Sequence, residues 1–304
     1  MKLLTNAHMI SYDEIIEALN KEEGTKAGRL LRSHVETILQ RLKKWGMDSG
    51  FLHRDLKIAS KVQQASLPQD LPVIPGLQCA RFYKPAHSVG GDYYDFLSFE
   101  DGRWGIAIGD VSGKGMGAAL VMATLQASLR AQILRPASNV ETLMRNVNRL
   151  IRESSPAEFY ASLFYAEYRP ESRVLRYVNA GHNPPVVLRQ FGDQCKLLTL
   201  HSGSVPVGAL DNSSYRSKMF QLEPGDLLVA YTDGVTESED SEGRAFGQER
   251  LKRMLCELNA RDPQEILRHI LNQLSAHSAD CEQGDDITLL VLRVEAEEGM
   301  AVAA

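Results

Sequence analysis

The chain has 304 residues, of which 43% are hydrophobic and 24% are charged, and its formal net charge is −5. This composition is typical of a soluble globular protein and argues against nucleic acid or an anionic membrane as the main partner. The four cysteines form no CxxC pair, which argues against a zinc ribbon or a thiol redox motif. The apolar run near the N-terminus is too short for a signal peptide, and no apolar run reaches about 18 residues, so we expect a cytoplasmic protein that does not span a membrane.

The first part of the chain, residues 1–66, is predicted to form an N-terminal helical segment. Its apolar stripe has heptad-like spacing and consists of Leu31, Val35, Ile38, Leu42 and Trp45. Gly46 and Gly50 are expected to interrupt the helical pattern, and a second helix is expected at about 52–66. The segment SLPQDLPVIPG at 66–76 contains three prolines and a glycine, which is typical of a linker between domains.

The rest of the chain is predicted to combine short strands with helices. Strands are predicted at 77–83, 103–111, 159–168, 173–180, 184–190, 195–200, 217–222, 226–232 and 286–294. Helices are predicted at 116–134, 139–153, 247–259 and 262–276. The first of these helices is apolar on nearly every face, so we expect it to be packed on several sides. Strands flanked by pairs of helices predict an α+β fold with helices covering the sheets, and the tail at 297–304 is predicted to be disordered.

Four segments place an aspartate beside a glycine at the edge of a strand: GGDYYD (90–95), IGDVSGKGMG (108–117), YTDGVTES (231–238) and GDDITLL (284–290). Strand ends of this kind could gather Asp92, Asp110, Asp233 and Asp285 into one acidic cluster. Close carboxylates repel one another unless hard cations neutralise them, and oxygen ligands favour Mg²⁺ or Mn²⁺ over zinc. Alternatively, each aspartate only caps a turn, but four such segments together favour metal binding.

The motifs VGGDYYDF, IGDVSGKGMGAALVMA, YTDGVTE and DDITLLVLR, in this order, resemble the SpoIIE/RsbU family of bacterial PPM-type (protein phosphatase 2C-like) phosphatases. The lead-in QQASLPQDLPVIPGLQCARFYKPA and the central VNAGHNPPVVL are similar to it as well. The resemblance implies an αββα sandwich at 67–296, made of two antiparallel sheets flanked by helices. It also implies that the metal ligands are Asp92, Asp110, Asp233, Asp285 and the carbonyl of Val111.

The resemblance further implies a metal-dependent protein serine/threonine phosphatase with two Mn²⁺ or Mg²⁺ ions. Two such ions can share a bridging hydroxide that attacks the phosphorus in line. The implied substrate is a phosphorylated STAS-type anti-sigma-factor antagonist in a partner-switching pathway that regulates a sigma factor. Two alternatives stay open, namely a catalytically silent module that binds such a partner and a general phosphoesterase for small molecules.

Other polar residues near these motifs have less certain roles. Asp95 and Asp286 either hydrogen-bond to the ligands or contact the metals directly. Lys114 is a candidate for contacting phosphate, against the alternative of a solvated loop lysine. His182 is a candidate proton donor, against the alternative of a turn histidine that hydrogen-bonds to the backbone.

The stripe from Leu31 to Trp45 is expected to be covered, because an exposed apolar stripe of this kind is unfavourable. We expect it to form a homodimer contact, with the helix at 52–66 transmitting a signal to the catalytic domain. The alternative is that the stripe packs on the catalytic domain of the same chain.

Overall fold

The computed structural model describes residues 49–133, 139–191, 194–258, 262–279 and 281–295. The predicted stripe from Leu31 to Trp45 and the predicted disordered tail at 297–304 lie outside these residues. The chain divides into two compact units, residues 1–58 and residues 59–304. Across the described residues, no helix combines the length and the apolar character that a membrane span requires.

The described residues contain ten strands and six helices. The strands are β1 (Leu77–Lys84), β2 (Tyr93–Ser98), β3 (Trp104–Val111), β4 (Ala161–Arg169), β5 (Val174–Ala180), β6 (Val186–Phe191), β7 (Gln194–Thr199), β8 (Lys218–Gln221), β9 (Leu227–Tyr231) and β10 (Ile287–Val294). The helices are α1 (Ser49–Ser66), α2 (Met116–Ile133), α3 (Val140–Ser154), α4 (Asp233–Thr236), α5 (Gln248–Glu257) and α6 (Pro263–His277).

The strands form two five-stranded sheets, in the orders β1-β10-β9-β6-β7 and β2-β3-β4-β5-β8. Every pairing between neighbouring strands is antiparallel. Helices α2 and α3 pack on the second sheet, and α5 and α6 pack on the first. This arrangement confirms the predicted αββα sandwich.

Strand β10 contributes apolar side chains to the cores on both faces of its sheet. Leu290 and Leu292 belong to the core that joins the two sheets, whereas Leu289 and Val291 belong to the core beneath α5 and α6. Successive side chains point to opposite faces of a strand. A strand covered on both faces is therefore apolar throughout and does not alternate with polar residues.

Two helices begin at side-chain caps that the sequence contains. The side chain of Asn139 accepts a hydrogen bond from the Thr142 N–H at 2.8 Å at the start of α3. The Asp262 side chain accepts one from the Gln264 N–H, and Pro263 occupies the first turn of α6. Such caps satisfy backbone N–H groups that have no partner inside the helix.

Several details differ from the sequence predictions. Gly50 lies inside α1, which therefore begins three residues before the predicted start at 52. The predicted strands did not include β2, because five of its six residues are buried and no polar alternation marks it. Helix α2 is packed on several sides, as expected, but its apolar pattern also covers one exposed face, where Leu120 is 63% exposed. An outer-layer helix meets its sheet and a neighbouring helix only on its inner sides.

Candidate active site

The four predicted aspartates lie at neighbouring strand ends of the two sheets. Asp92 precedes β2, and Asp110 lies near the end of β3, its antiparallel partner. Asp233 follows β9 and begins α4, while Asp285 precedes β10, the antiparallel partner of β9. Antiparallel pairing places the end of one strand beside the start of the next. One edge of the sandwich therefore carries all four residues.

Asp92 is buried and connects the two sheets. One of its carboxylate oxygens, Oδ2, accepts hydrogen bonds from the Thr232 hydroxyl at 2.8 Å and the Thr288 hydroxyl at 2.5 Å. Thr232 follows β9 and Thr288 lies in β10. The two threonines were not among the sequence candidates, because their proximity to Asp92 depends on how the sheets stack.

Asp286 fastens the loop that carries Asp92. Its Oδ1 accepts a hydrogen bond from the Ala86 N–H at 2.7 Å, and its Oδ2 accepts from the N–H groups of Gly91 at 2.7 Å and Asp92 at 3.3 Å. A Cβ atom on Gly90 would lie only 2.2 Å from this oxygen, so the loop requires a glycine there. These bonds place Asp286 as a support for the Asp92 loop.

Burial and neighbouring negative charges raise the pKa of three of these aspartates. Burial, followed by the charges of Asp233, Asp285 and Asp286, raises the pKa of Asp110 to about 8. Burial and Asp110 raise the pKa of Asp92, and burial and Asp285 raise that of Asp233. Buried carboxylates of like charge favour protonation or a neutralising cation.

Lys114 supplies one positive charge at this edge. Its ammonium group lies 2.8 Å from Asp285 Oδ2 and donates a hydrogen bond to the Gly284 carbonyl at 2.6 Å. The side chain is half-exposed. The predicted candidate for phosphate contact thus lies beside a candidate metal ligand.

The candidate ligands are carboxylate and carbonyl oxygens, which match the preference and the positive charge of a hard divalent cation. The Val111 carbonyl oxygen and Asp110 Oδ1 both lie near Gly91, at 2.9 Å and 3.5 Å from the position that a Cβ atom would take there. All-oxygen sites of this kind suit Mg²⁺ or Mn²⁺. Among the described residues, however, no three Asp, Glu, His or Cys side chains converge tightly enough to enclose one ion.

A cleft of about 340 Å³ opens at this edge of the sandwich. Its lining includes the candidate ligands Asp110, Asp233 and Asp285. It also contains hydroxyl, amide, ammonium and imidazole groups, from Ser112, Lys114, Tyr160, Ser162, His182 and Asn183. A larger groove of about 620 Å³ lies between α5 and α6, but none of the four candidate aspartates lines it. The smaller cleft is therefore the candidate active site.

His182 is a buried member of this cleft. Its Nδ1 lies 2.8 Å from the Ser162 hydroxyl, and its backbone N–H donates to the Asn179 side chain at 2.9 Å. Burial lowers the pKa of His182 to about 4, against a smaller opposing effect of the Tyr231 carbonyl. At neutral pH the ring is therefore uncharged and acts best as a hydrogen-bond partner that orients Ser162.

Asp95 is directed away from the cleft. It forms an ion pair with Arg130 of α2 at 2.8 Å and accepts hydrogen bonds from the Tyr93 hydroxyl and the Phe96 N–H. Proximity to Asp92 along the chain suggested a role at the metals. The strand instead turns the Asp95 side chain towards α2.

The family model for Stage II sporulation protein E (SpoIIE) matches residues 100–295 of the chain. The chain belongs to the SpoIIE family. This membership confirms the resemblance to SpoIIE/RsbU PPM-type phosphatases.

Curated relatives and solved structures extend this SpoIIE assignment. Protein IcfG of Synechocystis sp. is 29% identical over 289 residues, which cover 86% of this chain and 44% of IcfG. Phosphoserine phosphatase RsbU of Bacillus subtilis is 29% identical over 239 residues, which cover 79% of this chain and 70% of RsbU. The SiaA-PP2C domain of Pseudomonas aeruginosa has the same fold, with a TM-score of 0.71 and 24% identity over 81% of this chain and 98% of that domain. The chain spans less than half the length of IcfG.

Proposed function

We propose that this chain is a metal-dependent protein serine/threonine phosphatase. The observation that supports this function best is the cleft in which Asp110, Asp233 and Asp285 lie together beside Lys114. The SpoIIE family membership supports the same reaction class, and a relative that covers most of the chain bears the name phosphoserine phosphatase.

The metals proposed are two Mn²⁺ or Mg²⁺ ions, held by Asp92, Asp110, Asp233, Asp285 and the Val111 carbonyl. Bound divalent ions lower the pKa of water and neutralise phosphate charge, which supplies the chemistry of hydrolysis. Asp286 holds the Asp92 loop through three N–H groups, and Thr232 and Thr288 fix the Asp92 carboxylate. Lys114 can exchange its bond to Asp285 for a phosphate oxygen, because its ammonium is half-exposed.

The substrate proposed is a phosphoserine or phosphothreonine on a protein, namely a STAS-type antagonist in a partner-switching pathway. Tyr160 lines the cleft and is 43% exposed, and Met116, two residues after Lys114, is 40% exposed. Exposed apolar side chains next to a polar cleft suit a protein surface better than a small phosphate ester.

The test is the release of phosphate from a phosphorylated STAS-type protein in the presence of Mn²⁺. We expect Asp233→Asn to abolish turnover and to reduce the stabilisation by Mn²⁺ in a thermal-shift assay. Asp70→Asn, a change at an exposed residue outside the cleft, is the matched control and should leave both unchanged. Unchanged turnover in Asp233→Asn would rule out the proposed site.

A silent module that binds a STAS-type partner is the second candidate function. The ion pair between the Lys114 ammonium and Asp285 favours it, because a lysine at this position can replace a metal as the counter-charge. A ligand that binds only the folded state stabilises it by RT ln(1 + [L]/Kd). Absence of any thermal shift at millimolar Mn²⁺, together with retained partner binding, would favour this function.

The N-terminal segment at 1–66 is proposed to be a dimerisation and signal-transmitting element. The support is its apolar stripe from Leu31 to Trp45. Light scattering at micromolar concentration tests it, and a monomer would contradict the proposal.

A further inference from the structure

Two cysteines that are far apart in the sequence lie in contact in the structure. Cys195 lies in the edge strand β7, and Cys256 lies near the end of α5. Their sulfur atoms are 2.7 Å apart, and both side chains are partly exposed to solvent. No sequence motif pairs these two cysteines, because 61 positions separate them.

The contact is set by packing between the helix and the sheet. Helix α5 packs on β6 and β7, and Cys195 packs against the core beneath α5 and α6. A disulfide needs its sulfurs about 2.05 Å apart, so the two atoms must approach by less than ~1 Å. Little rearrangement of the fold is needed to join them.

We propose that Cys195 and Cys256 form a reversible oxidation site, in which a hydroperoxide converts the two thiols into a disulfide that joins β7 to α5. In the first step one sulfur attacks the O–O bond of hydrogen peroxide, takes one oxygen as a sulfenic acid, and water leaves. In the second step the other thiol attacks that sulfur, the S–O bond breaks, and a second water leaves. Overall, two thiols and one peroxide give one disulfide and two waters, and two electrons pass from sulfur to peroxide.

The pair is expected to respond only to strong oxidants. Burial and the neighbouring thiol raise the pKa of Cys195 to about 12, so this thiol stays protonated at neutral pH. A protonated thiol is a poor nucleophile, so the first step is slow. In a reducing compartment the pair stays reduced and becomes linked only under oxidative conditions, and thiol exchange restores it.

The disulfide would hold β7, at the edge of the first sheet, against α5. Within the part of the chain that the structure describes, strand β7 has a partner strand on one side only. Edge strands open and pair with other chains more easily than central strands. A cross-link that closes a loop of this length restricts the unfolded chain strongly. The oxidised protein is therefore expected to melt at a higher temperature.

The experiment exposes the full chain to hydrogen peroxide and maps its peptides without reduction. We expect a Cys195 peptide joined to a Cys256 peptide, a melting temperature higher by roughly 5–10 °C, and reversal of both by dithiothreitol. Hydrogen exchange adds a second readout, because amides of β7 should exchange more slowly after oxidation.

The controls use all four cysteines of the chain. Cys195→Ser and Cys256→Ser should lose the cross-link and the thermal shift, whereas Cys79→Ser and Cys281→Ser should keep both. Four free thiols after oxidation, or a bridge that includes Cys79 or Cys281, would overturn the proposal.

Discussion

Replacing Gln63 of α1 should destabilise the protein through the loop that carries Asp92. The Gln63 side chain is 8% exposed, donates to the Gly90 carbonyl at 2.7 Å and accepts from the Gly90 N–H at 3.0 Å. Gln63→Ala removes both bonds and leaves two buried backbone groups without this partner. Each such loss costs about 1–2 kcal/mol, so we expect a decrease of about 2–4 kcal/mol in the free energy of unfolding.

Urea denaturation measures this decrease in the free energy of unfolding. Two further variants test whether it comes from the two hydrogen bonds to Gly90. Gln64→Ala changes the exposed neighbouring side chain and should alter stability by less than ~0.5 kcal/mol. Gln63→Glu keeps the acceptor for the Gly90 N–H but places a buried carboxylate against the Gly90 carbonyl, so its loss at neutral pH should be at least as large as that of Gln63→Ala. A Mn²⁺ titration should also show weaker binding in Gln63→Ala, because the loop positions Asp92. Equal stability of Gln63→Ala and Gln64→Ala would refute the reasoning.

The remaining predictions concern the cleft and its supports. With a pKa of about 4, His182 stays neutral when folded, whereas the unfolded residue gains a proton below its ordinary pKa of 6.5. The contribution of His182 to the free energy of unfolding should thus fall by about 3 kcal/mol from pH 6.5 to 4. The raised pKa of Asp110 acts in the opposite direction, so the test is the comparison by urea titration, in which the wild type should lose more stability over this range, or gain less, than His182→Gln. Arg130→Met leaves the buried Asp95 without its ion-pair partner and should lower the free energy of unfolding by about 2 kcal/mol. The double variant Arg130→Met/Asp95→Asn should recover part of this loss. Equal stability of the single and the double variant would contradict the prediction. Gly234→Ala places a Cβ 2.0 Å from the Asp286 carbonyl oxygen, so it should displace the backbone there and weaken Mn²⁺ binding in calorimetry, whereas unchanged affinity would show that the loop adapts freely.

Much of the fold could be predicted from local patterns. The amphipathic helix α3 and the apolar strand β10 have the periodicity of their structures, and Asn139 and Pro263 mark helix starts. Strand β2 was missed because burial on both faces removes the alternation that identifies a strand. The short helix α4 has too few residues to show a period.

The sequence by itself determined which residues are candidates for the metal site. Asp92, Asp110, Asp233 and Asp285 each lie beside a glycine at or near the end of a strand, and this local arrangement can be read from the sequence. Their roles as ligands stay a prediction. The motifs that contain them also indicated the family, which the family model confirmed.

Only the tertiary structure decided what surrounds these aspartates. Asp286 holds a loop 195 positions away, Thr288 reaches Asp92, and Ser162 meets His182 in the cleft. The same holds for the sulfur contact between Cys195 and Cys256. Such contacts depend on how the two sheets stack and how the helices cross them. That geometry results from close packing of the whole core, and no local sequence pattern encodes it.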